Sequence, residues 1–140
     1  MQKNKNLDAF SEDELLEVLR KTEFVFGKYL RAVRVAQKIS IRQLARNVNK
    51  TPTYISDIEN GNNKPPEKKL LDDIILNLNI NDYSPKIKNN LYDLAARERN
   101  DIPADIKDYI MGNDVLLKII RSAKDKPNDQ QIWSQLLKKV

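Results

Sequence analysis

The stretch Ile41-Arg42-Gln43-Leu44-Ala45-Arg46-Asn47-Val48-Asn49-Lys50-Thr51-Pro52-Thr53-Tyr54-Ile55-Ser56-Asp57-Ile58-Glu59-Asn60-Gly61 decides the fold. It reads as two short helices separated by about two residues. Ser40 supplies the cap of the first helix, over 41–48, because a Ser hydroxyl accepts a free amide at a helix start. Asn49 tolerates the left-handed turn that otherwise calls for Gly. Thr51 followed by Pro52 is a cap and first-turn pair for the second helix, over 51–60, and Asn60-Gly61 stops it. So short a turn forces a steep crossing, which needs a small residue at the contact, Ala45. It also needs apolar inner faces, supplied by Leu44, Val48, Ile55 and Ile58. A second helix thrown outward in this way has the geometry of a recognition helix in a DNA major groove.

Outward from this pair the signals stay helical, with apolar residues at three and four spacing and no convincing strand. The expectation is an all-α protein. Ser11 and Glu14 form a capping box for a helix over 12–20. Phe26, Leu30 and Val33 define one face of a helix over 22–37. Pro66 opens a helix containing Leu70, Leu71, Ile74, Ile75 and Leu78. Ser84-Pro85 leads into Ile87, Leu91, Leu94 and Ala95. Pro103 starts a short helix with Ile106 and Ile110. Asn113 caps one with Val115, Leu116, Ile119, Ile120 and Ala123. The last presents Ile132, Trp133, Leu136 and Leu137. These later stripes read first as core, with a dimer or partner interface as the alternative.

Composition narrows the chemistry. The 140 residues contain neither Cys nor His and only 3 Gly. Disulfides, thiolate metal sites, Cys nucleophiles and the usual general base are therefore absent. No phosphate-cradling glycine loop is present. Carboxylate pairs such as Asp72/Asp73 and Asp105/Asp108 lack a converging base or metal ligand, so the expectation is no enzyme, no metal and no cofactor. No apolar run approaches the roughly 20 residues of a membrane span. The opening MQKNKNLDAF has no apolar signal core, which predicts a cytoplasmic protein.

The net charge is +5, from 25 Lys+Arg and 20 Asp+Glu. Its placement matters more than its size. Lys28, Arg31, Arg34, Lys38, Arg42, Arg46 and Lys50 follow one another with no acid between them. A solvated basic face and a surface for a polyanion both fit this run. An RNA-stacking platform fits poorly, since aromatics are 6% of the chain and none is interleaved for that purpose.

Three strings, Phe26-Gly27-Lys28-Tyr29-Leu30-Arg31, Ile39 to Ala45 and Thr51 to Gly61, together resemble the phage-repressor (Cro/CI-like, XRE) helix-turn-helix family. The resemblance covers about 24–80. It implies a five-helix repressor-like domain over 22–82, preceded by an extension over 1–21. A helical region over 83–140 would follow, for dimerisation or partner binding. It also implies a transcriptional regulator, a repressor bound as a homodimer to a palindromic operator on double-stranded DNA. The alternative is an antitoxin or mobile-element repressor whose C-terminal helices hold a toxin or other protein. Thr51, Thr53, Tyr54, Ser56 and Asp57 are then the base-contacting candidates, with Asp57 equally readable as a surface acid. Arg42, Arg46, Lys50, Asn60 and Lys64 are the phosphate-contacting candidates, each also readable as plain surface. Arg34 and Glu59 are expected to form a partly buried structural ion pair. The chain departs from the family at Ile41, where Gln usually makes a DNA contact, and at Asn49 and Lys50, which replace a Gly and an apolar residue.

Overall fold

The computed structural model describes residues 13, 17, 25–83 and 85–140. Eight helices lie among them, and no strand. They are α1 (Phe26–Ala36), α2 (Ile41–Asn47), α3 (Pro52–Glu59), α4 (Lys68–Asn77), α5 (Pro85–Arg99), α6 (Ala104–Met111), α7 (Asp114–Lys124) and α8 (Asp129–Leu137). The capping box at Ser11 and Glu14 and the cap at Ser84 lie outside the described residues. None of the described helices is long and apolar enough to cross a membrane.

The chain divides into two compact units, Met1–Asp105 and Ile106–Val140. In the first, Phe26, Tyr29, Leu30, Leu44, Ile55, Ile74, Ile87 and Leu91 are fully enclosed. Helices α1 to α5 all contribute to this core. The first unit runs on to Asp105 and takes in α5. Ile87, Leu91, Tyr92, Leu94 and Ala95 of α5 fall on one helical stripe and complete the core.

Polar contacts fasten α5 to the rest of this unit. Glu98 accepts the first amide of α1, from Phe26, at 2.7 Å. That bond replaces the side-chain cap that Val25 cannot provide. Arg99 donates to the Pro65 carbonyl at 2.9 Å and pairs with Glu67 at 3.1 Å. Pro65 and Pro66 are buried, and α4 begins two residues after Pro66. Tyr92 on α5 donates to Asp72 on α4, and Lys68 reaches the same carboxylate at 2.7 Å.

Four non-glycine residues take the left-handed conformation: Lys38, Asn49, Asn79 and Asn100. Each sits just past a helix end, where that conformation turns the chain out of the helix.

Residues 106–140 are different. Ala123 is their only buried residue. Val115, Ile119, Ile120, Leu136 and Leu137, read from sequence first as core, are exposed. Helical periodicity sets the stripe but does not supply the surface that covers it.

Candidate nucleic-acid interface

The site is built on the pair α2 and α3. Ser40 Oγ accepts from the Gln43 amide at 3.0 Å and opens α2. Asn49 turns the chain at φ 58°, and the Lys50 amide closes the turn on the Ala45 carbonyl at 2.8 Å. Thr51 Oγ1 then accepts from the Tyr54 amide at 3.1 Å, and Pro52 occupies the first position of α3. Leu44, Ala45 and Val48 of the α2 segment and Ile55 and Ile58 of α3 are buried. The opposite side of α3 is thereby left outward.

That outward side carries Thr51 and Thr53, both exposed, with Ser56 and Asp57 half-buried. Tyr54 is half-buried against the core. The Lys50 ammonium stands 5.3 Å from the centre of the Tyr54 ring, so the ring face helps hold the cation at the turn. Asn60 donates to Ser56 Oγ at 3.3 Å, one turn back on the same strip of surface. The Asp57 carbonyl accepts from the amides of Asn62 and Asn63 at 2.8 and 3.2 Å. These two bonds fold the loop that carries Lys64. Arg42, Arg46, Lys50 and Lys64 are all exposed.

Behind the site lies a buried ion pair. Arg34 Nε and Nη2 donate to the two carboxylate oxygens of Glu59 at 2.7 and 3.0 Å. Its Nη1 donates to the Ile39 carbonyl at 2.8 Å. Each guanidinium nitrogen and each carboxylate oxygen of the pair has a partner, which is what makes burying two charges tolerable. Among the described residues no buried side-chain nitrogen or oxygen lacks a partner. Arg34 is thereby spent on fixing the end of α3 and turning the chain between α1 and α2.

Two features escaped the sequence reading. A Cβ on Gly27 would lie 2.6 Å from the Glu59 carbonyl oxygen, so α1 rests directly on the backbone at the end of α3. Only Gly permits that approach. It brings Lys28 and Arg31 to an open cleft shared with Ile41, Ser56, Asn60 and Gly61. Both cations belong to the acid-free basic run, but only the packing of α1 against α3 shows that they adjoin the outward face. The sequence carried the signal for Gly27 in the string Phe26-Gly27-Lys28, though without a reason for a glycine inside a helix.

The helix-turn-helix family matches residues 30–80. No curated protein and no solved structure matches the chain. The matched segment spans α1 from its second turn through α4, which is where the steep pair, its turn and the buried Arg34–Glu59 bridge lie. The chain thus carries a helix-turn-helix domain of the Cro/CI-like (XRE) type, the DNA-binding module of transcriptional regulators.

Proposed function

We propose that this chain is a sequence-specific regulator, a repressor that binds a palindromic operator as a homodimer, with α3 in the major groove. One observation carries this reading. The outward strip of α3 (Thr51, Thr53, Ser56, Asp57) stands on a fully packed inner face, and its far end is clamped by the Arg34–Glu59 pair. A rigid polar helix face beside exposed cations is what groove reading needs. Thr53 and Ser56 read base edges through hydroxyls, and the Thr methyl suits a thymine methyl. Thr51 caps the helix and adds its hydroxyl hydrogen, and Tyr54 and Asp57 flank the reading strip. Arg42, Arg46, Lys50, Asn60 and Lys64 hold phosphates. The protein binds and does not catalyse. An antitoxin or mobile-element repressor would use the same module, and the exposed apolar residues of 106–140 favour a protein partner in either case.

Selection of sites from random duplex DNA tests the reading. The expected product is a palindrome with half-sites about one helical turn apart. Thr53→Ala and Ser56→Ala should alter the preferred bases, at about 1–3 kcal/mol per good contact. Arg46→Ala and Lys50→Ala should weaken all DNA alike and reduce the salt slope by about one. Recovery of unenriched random DNA would refute it.

A further inference from the structure

Lys28 and Arg31 have no part in the contacts proposed above, yet both line the open cleft between α1 and the end of α3. The cleft has a volume of about 670 Å³. Sites of that size for small molecules are walled chiefly by apolar and aromatic side chains. Among the described residues that line this one, only Val25 and Ile41 are apolar and none is aromatic. Its chemistry is polar and basic.

The basic character has a definite source. Lys28 and Arg31 are three residues apart on α1, so they stand on one side of that helix, and both are exposed. They are rooted next to Gly27, whose missing side chain seats α1 on the backbone at the end of α3. The acid lining the cleft is Glu59, and it does not offset them. Its side chain is 1% exposed, and both of its oxygens accept from Arg34. Arg34 cancels that negative charge, which leaves the field of Lys28 and Arg31. Asn60 adds a neutral donor. Its side-chain amide gives one hydrogen to Ser56 Oγ at 3.3 Å and has a second to offer. Two cations and an amide around an open polar cleft suit a phosphate group.

Position decides where that phosphate comes from. Ser56 belongs both to the cleft and to the outward strip of α3. A duplex whose bases meet that strip carries its backbone past the cleft. Lys50 precedes α3 at its other end, about 12 Å away along eight helical residues at 1.5 Å each. The two places are too far apart to share one phosphate. We infer that Lys28 and Arg31, with Asn60, hold a backbone phosphate of duplex DNA in this cleft and so fix the register in which Thr53 and Ser56 meet the bases. The inference rests on the DNA reading above and gives it an anchoring point supplied by α1.

Salt titrations of duplex binding by the full chain test it. Lys28→Gln and Arg31→Gln together should weaken every duplex, about tenfold for each cation at moderate salt. They should also flatten the slope of log affinity against log salt by about two. Lys69→Gln with Lys88→Gln removes the same charge from α4 and α5 at positions that do not line the cleft, and should change the slope far less. Arg31→Lys keeps the charge and should retain most of the affinity that Arg31→Gln loses. Helical circular dichroism and the urea midpoint should stay those of the wild type, since both cations are exposed. Uncharged methylphosphonates in place of single phosphates of a selected duplex locate the contact. At one position the wild type should lose affinity and the Lys28/Arg31 double variant should not. A slope unchanged in that variant, or changed equally by the Lys69/Lys88 pair, overturns the inference and leaves the DNA reading standing. So does a double variant as sensitive as the wild type to every methylphosphonate. A wild type that binds no duplex overturns both. Inorganic pyrophosphate at matched ionic strength should displace the duplex no better than chloride. Saturable displacement that the double variant lacks would assign the cleft to a free anion and overturn the backbone contact.

Discussion

Helices α1 to α5 each bury several side chains, whereas residues 106–140 bury only Ala123. Composition does not explain this. Both regions carry amphipathic helices rich in Leu, Ile and Val. What differs is closure. In the first unit five stripes converge on Leu30, Ile55 and Leu91, so each helix covers another's apolar face. In the second, α7 and α8 leave most of theirs to solvent. Amphipathicity is a property of one helix, and a core is a property of several.

The largest expected effect breaks the first region at the buried Arg34–Glu59 pair. Glu59→Ala leaves Arg34 buried without its carboxylate, and urea unfolding should show a loss of about 3–5 kcal/mol. Replacing both residues by apolar side chains of similar volume should cost far less, because no charge is then orphaned. If the single and double variants unfold alike, the pair does not hold α3.

Next comes a direct contrast between the regions. Leu30→Ala should lower stability by about 2–5 kcal/mol through lost burial and a cavity. Val115→Ala, at an exposed position, should change it by less than about 0.5 kcal/mol. Equal losses at the two sites would erase the distinction.

The smallest effect is at the α4–α5 junction. Tyr92→Phe removes the hydrogen bond to Asp72 and should cost about 1 kcal/mol at neutral pH. Burial opposes ionisation of Asp72, yet the hydrogen bonds from Lys68 and Tyr92 outweigh it and hold the carboxyl below its ordinary 3.8. A folded value below the unfolded one gives stability that is present above 3.8 and lost as pH falls through the folded value. Tyr92→Phe should shrink that acid-side loss. Asp93 has the opposite sign: burial and nearby Asp105 raise its carboxyl, so its penalty on the folded state lifts on acidification. Stability measured from neutral pH down to pH ~3 should show both components, and only the Asp72 part should respond to Tyr92→Phe.

The turn at the site was legible because its signals are local. Ser40, Asn49, Thr51-Pro52 and Asn60-Gly61 each act within one helical turn, and the structure places helix ends at all four. Long-range relations were not. Nothing local in α5 says that Glu98 will cap α1, that Arg99 will pin the loop before α4, or that the unit will run on to Asp105. The cleft beside Lys28 and Arg31 depends on how closely two helices cross, a distance that spacing along the chain does not encode. For α7 the sequence carried the stripe and the charges, and burial alone revealed that the stripe is uncovered.

The seating of Gly27 on the end of α3 makes the aim of that helix a matter of one carbon atom. A methyl group there would tilt α3 about its far end and swing Thr53 and Ser56 off the positions their packing now dictates. If α3 reads an operator as proposed, its choice would then drift through a residue on the hidden side of that helix. Under the proposed function, specificity is inherited from a backbone contact on the hidden side of the helix, so the surface that reads and the seat that points it are bound to change together.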